Sequence, residues 1–72
     1  MVDTCLRYEI RIQGHLAPYR LRHFEGVTVR QGACGETVIV GCFRDQPALY
    51  GLLGWLQGLG ATLLLVKRVE NG

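Results

Sequence analysis

The side chains able to do chemistry in this 72-residue chain are few: Cys5, Cys34 and Cys42, and the histidines His15 and His23. A thiolate beside an imidazole can act as a nucleophile, and three or four such groups brought together can hold a metal ion. Their spacing supports neither. They are scattered over different predicted elements, and the cysteines form no C-x-x-C pair. No metal site and no cofactor are therefore expected. The chain has no serine, and its six acidic residues form no convincing pair at a pocket. Its glycines fit neither a dinucleotide nor a Walker pattern. The expectation is a protein that is not an enzyme, with catalysis by His15 or His23 ranked last.

The cysteines also bear on compartment. Three is an odd number without a framework spacing, which suits a reducing cytosol and a cytoplasmic protein. Cys34 falls in a predicted turn and should be exposed. Cys5 and Cys42 fall at the same end of neighbouring strands. Strand parity, read as below, puts Cys5 on the open face of the sheet and Cys42 on the core face, so a disulfide between them is disfavoured. The N-terminal MVDTCLRYEI lacks the basic-then-apolar pattern of a secretion signal.

The elements that must position these groups follow from periodicity. From Leu6 to Gln13, Leu6, Tyr8, Ile10 and Ile12 alternate with Arg7, Glu9, Arg11 and Gln13, the mark of a half-buried strand. HLAPYRLRHFEG then reads as a connection with a short helix, Pro18 starting it, Gly26 stopping it, and Leu21 and Phe24 pinning it to the core. Val27–Gln31 and Glu36–Phe43 are β-rich runs joined by the turn GACG. Asp45 reads as an N-cap with Pro47 in the first turn, and the helix runs to about Leu59. Gly60 follows as a cap, and Thr62–Val69 forms the last strand. This order predicts one α+β domain over residues 1–72, a ferredoxin-like βαββαβ two-layer sandwich. Its first helix is short and degenerate, and its four-stranded antiparallel sheet has the first and third strands at the centre.

The predicted second helix raises a question. LYGLLGWLQGLG (residues 49–60) places Leu49, Leu52, Leu53, Leu56 and Leu59 on one side of a helical wheel. Gly51, Gly54 and Gly58 fall nearly opposite, flanked by Tyr50 and Trp55. Glycine inside a helix costs about 1 kcal/mol relative to alanine, so three of them oppose local stability. Close approach of another backbone offsets such a cost, as in G-x-x-x-G helix packing, and Tyr and Trp are frequent interface anchors. Tyr50, Gly51, Gly54, Trp55 and Gly58 are accordingly expected to form a partner interface. The bland alternative is that the glycines sit idle and Trp55 drapes over the core edge.

Other partners rank lower. A net charge of +2 does not by itself argue for nucleic acid or acidic lipid. Arg7, Arg11 and Arg30 should share the open sheet face with Glu9, as a solvated face with cross-strand ion pairs. Ile39 and Phe43 are expected on that face too, and Leu63 and Leu65 with them if Leu64 and Val66 point inward; Phe43 is the one aromatic on which a base could stack. Nucleic acid is not expected. Residues 46–66 make 21 positions without a charge, enough to cross a bilayer. Gln46, Pro47, Gln57, Gly58 and Gly60 interrupt that run, and no membrane span is expected.

The chain also resembles short bacterial proteins of unassigned function. The likeness is carried by Y-E-I-R-I-Q-G-H-L, F-E-G-V-T, G-E-T-V-I-V-G, R-D-Q-P-A-L-Y-G-L-L and L-G-A-T-L-L-L-V-K-R. Such proteins share G-x-L after the first strand, G-x-T before the third and D-Q-x-A-L-x-G-L-L opening the helix. The resemblance implies a stand-alone domain and no particular activity. A looser likeness, in topology alone, is to small-molecule-sensing domains of the ACT type. The first expectation is thus a self-associating or accessory-subunit protein, most simply a homodimer. The alternative is a regulatory module binding a small molecule between subunits near Gly14 and His15.

Overall fold

The computed structural model describes residues 5–69; the two ends of the predicted domain, residues 1–4 and 70–72, lie outside it. Strands β1 (Leu6–Gln13), β2 (Val27–Gln31), β3 (Glu36–Phe43) and β4 (Leu63–Arg68) form one antiparallel open sheet in the order β2-β3-β1-β4. One α-helix among the described residues, α1 (Gln46–Gly58), covers one face. β1 and β3 are central, as expected. The expected first helix is only a 3-10 turn, Pro18–Leu21. Pro18 sets its first turn, and Leu21 anchors it in the core.

α1 owes its limits to two local devices. Asp45 Oδ1 accepts the Ala48 N–H at 3.0 Å, satisfying a donor that the first turn leaves free. At the other end Gly60 takes φ +81, and its N–H donates to Gln57 C=O at 2.9 Å while Ala61 N–H donates to Leu56 C=O at 3.1 Å. These paired bonds form a Schellman motif, which glycine permits because it adopts positive φ without steric cost. Leu59 is the residue at which the helix ends, so it leaves the predicted apolar stripe and stands 42% exposed.

The core lies between α1 and the sheet. Ile10 and Ile12 of β1, Ile39 and Phe43 of β3, and Leu49, Leu52 and Leu56 of α1 are its buried members, with Leu16 and Leu21 from the connection. This overturns the expected placing of Ile39 and Phe43 on the open face. Register pairs Ile39 with Ile10 and Phe43 with Leu6, so both share the helix side. Val38 and Val40 take the open side, opposite Arg11 and Glu9. Gly41 is needed in this packing: a Cβ there would come within 3.0 Å of the Phe43 ring and of Val27.

Parity also reverses the reading of the cysteines. Cys42 pairs in register with Arg7 and therefore lies on the open face, the same side as Cys5. The two are joined by a disulfide, with Cα atoms 5.5 Å apart and a sequence separation of 37. The expectation that they do not bond is corrected, so the cysteine count no longer bears on the compartment. Cys34, in the β2–β3 turn, is free and exposed.

Candidate interaction surface

The outer side of α1 is built as the wheel predicts. No heavy atom outside the immediate helix lies within 4 Å of where a Cβ would stand at Gly51, Gly54 or Gly58. None of the three has positive φ. Neither packing nor backbone conformation within the domain requires glycine at these positions, in contrast to Gly41 and Gly60. No residue of α1 is charged.

The two aromatic residues expected to frame this strip behave differently. Tyr50 is 61% exposed and stands on the β4 side of the helix. Trp55 is half-buried and turns the other way, with its ring centroid 5.5 Å from Phe24 and 5.3 Å from His23 in edge-on contacts. It clamps the short connection against α1, so its main role within the domain is packing.

Between α1 and β4 runs a groove of about 460 Å³. Tyr50, Leu53, Gly54 and Gln57 form its helix wall, and Ile12 and Leu63 its floor. Next to it β4 exposes three consecutive leucines: Leu63 at 51%, Leu64 at 53% and Leu65 at 37%. A register shift between Arg11 and Ile12 leaves Leu64 without a partner on β1. This bulge returns Leu63 to the helix side, opposite Ile12, while Leu65 stays on the open face opposite Arg11. Leu63 was expected beside Leu65 on the open face; the bulge corrects that. One signal in the sequence pointed to this surface: three leucines in a row on a strand cannot all face one core.

The open face carries one ion pair across strands, Arg11 with Glu36, and one along β1, Arg11 with Glu9. Arg11 Nε donates to Glu9 Oε2 at 2.6 Å, and Arg11 Nη1 donates to Glu36 Oε2 at 2.7 Å. These bonds hold the guanidinium of Arg11 across Val38, its register partner, which is only 1% exposed. The hydrogen bond from Arg11 holds the Glu9 carboxyl below its ordinary value, and the same contact raises that of Arg11. Among the described residues no aromatic side chain stands on this face, because Phe43 belongs to the core.

At Gly14 and His15, the backbone is already in use. Gly14 N–H donates to Gly35 C=O at 3.0 Å, and Gly14 C=O accepts the hydroxyl of Thr37 at 2.7 Å. The same Thr37 Oγ1, fully buried, accepts Leu16 N–H at 3.0 Å. His15 is exposed and shares with Arg20 the rim of a shallow depression of about 230 Å³. Among the described residues no three His, Cys, Asp or Glu side chains group as metal ligands. No helix among them is long and apolar enough to cross a membrane.

No curated protein and no solved structure matches the chain. Residues 7–67 match a family model described as a domain of unknown function, DUF8691. That span takes in all four strands and the helix apart from Leu6 and Arg68, and the chain belongs to this family.

Proposed function

We propose that this domain is a non-enzymatic assembly module, which self-associates or serves as an accessory subunit through the outer face of α1. One observation carries the reading. Gly51, Gly54 and Gly58 each weaken the helix, and nothing within 4 Å of a Cβ at any of them makes use of the missing side chain. A requirement for small residues that is absent inside the domain is supplied by a partner backbone outside it. The uncharged surface of α1 allows such a contact without burying an unpaired charge. The sheet is read here as a reduced ferredoxin-like arrangement, with the 3-10 turn in place of the first helix. In the cytoplasm, the location proposed, the Cys5–Cys42 bond is open to the thiol pool. Its redox state then becomes a variable of stability.

The test is light scattering on size-exclusion peaks of wild type and Gly54→Glu over a range of concentrations. A lower mass for the variant, with unchanged circular dichroism, supports the reading. Equal masses with equal folding overturn it. The regulatory alternative is favoured by the rim of His15 and Arg20 at the shallow depression, two donors suited to an anionic metabolite. Thermal stabilisation by one such class of compound, lost in His15→Ala, supports that alternative.

A further inference from the structure

We propose that β4 is an edge built to pair with β4 of a second copy, antiparallel about a twofold axis at Val66, so that two sheets become one of eight strands. The inference rests on the self-association reading above and assigns it a second surface. Three observations carry it. The first is the direction of the backbone. Val69 N–H donates to Arg7 C=O at 2.8 Å, so by the alternation of an antiparallel ladder Lys67 and Leu65 also turn their polar groups toward β1. Val66 and Arg68 then turn theirs outward, and among the described residues no strand lies on that side.

The second is the contrast between the two edges of the sheet. β2 is short and exposes Thr28, Arg30 and Gln31, the kind of polar edge that discourages pairing. β4 exposes Leu63, Leu64 and Leu65 over its first half and carries its exposed charges, Lys67 and Arg68, only at its end. Twofold pairing through β4 covers the apolar edges and leaves β2 at both outer margins, which closes the assembly. Pairing β4 to β2 would propagate into an open filament.

The third is charge. An axis at Val66 sets Lys67 of one copy beside Leu65 of the other and Arg68 beside Leu64. Parallel pairing, or an axis at Lys67, would stack like charges on one another. The cations at the end of β4 thus disfavour parallel pairing and an axis at Lys67, and the outward amides of Val66 and Arg68 suit an axis at Val66. A stable dimer buries roughly 800 Å² on each partner. That is about a sixth of the 5006 Å² surface of the domain, more than a six-residue strand offers by itself. The adjoining groove, with Tyr50 and Leu63, extends the apolar surface beside the strand.

The experiment measures amide hydrogen exchange by NMR in wild type and in Gly51→Glu, a helix-face position outside the groove lining, together with molecular mass. The Val66 and Arg68 amides are expected to be protected in both, with protection rising with concentration. Leu65→Lys should weaken association by about tenfold, because the symmetry doubles each unfavourable cross-strand pair with Lys67. Leu65→Glu should keep or tighten it. Equal weakening by the two substitutions overturns the register. Freely exchanging Val66 and Arg68 amides in an oligomer whose mass falls in Gly51→Glu overturn the edge and leave the helix-face reading standing. A wild type that is monomeric at all concentrations, with or without protection of these amides, overturns pairing with a second copy.

Discussion

Replacing Gly51, Gly54 and Gly58 together with alanine separates what the glycines do for the fold from what they do for assembly. The three positions have negative φ and open space at the Cβ, so the methyl groups meet nothing inside the domain. Each substitution should stabilise the isolated helix by about 0.8–1 kcal/mol, less at Gly58, which lies in the last turn. The sum is about 2–3 kcal/mol, which for a domain of this size corresponds to roughly 10–20 °C in Tm. In a contact between helix backbones the same methyl groups force the helices apart, and association should weaken by about tenfold or more. The two effects have opposite signs. Thermal unfolding well below the dissociation concentration reads the first, and light scattering across that concentration reads the second. A variant that is more stable and associates as well as wild type would refute the idea that the glycines serve a contact. A less stable monomer would refute the placing of these residues on an open helix face.

Other expectations follow from particular contacts. Thr37→Val removes the hydroxyl that holds Gly14 C=O and Leu16 N–H, and should cost about 1–3 kcal/mol in urea unfolding. Reducing the Cys5–Cys42 disulfide reopens a loop of 37 positions, which the chain-entropy argument values at about 4 kcal/mol. For a domain with a total stability of roughly 4–11 kcal/mol, that leaves the reduced form marginal, as denaturation with and without dithiothreitol will show. Glu9 has its folded pKa held below 4.5, chiefly by the hydrogen bond from Arg11. Its contribution to stability is therefore fully present above its unfolded value and lost as pH falls through the folded one. Glu9→Gln should flatten the fall of Tm as pH drops through and below the ordinary carboxylate range.

Much of the architecture was legible in local patterns. The alternation of β1, the Asp45 cap, the GACG turn and the Gly60 terminus each rest on interactions between residues close in the chain, and all appear where they were expected. The glycine strip was legible for the same reason, since helical geometry alone brings positions 51, 54 and 58 to one side. What the tertiary structure decided depends on parity. Thr37-Val-Ile-Val40 is apolar on both sides but for one hydroxyl, so nothing local chooses between two registers that differ by one residue. Pairing with β1 made the choice: it buried Ile39 and Phe43, turned Val38 outward under Arg11, and brought Cys42 to the side of Cys5. The bulge at Leu64 and the contact of Trp55 with Phe24 were settled in the same way, by packing between segments distant in sequence. Local chemistry determined the elements and their ends; which side of each strand and which flank of the helix met the core was decided only when they packed together.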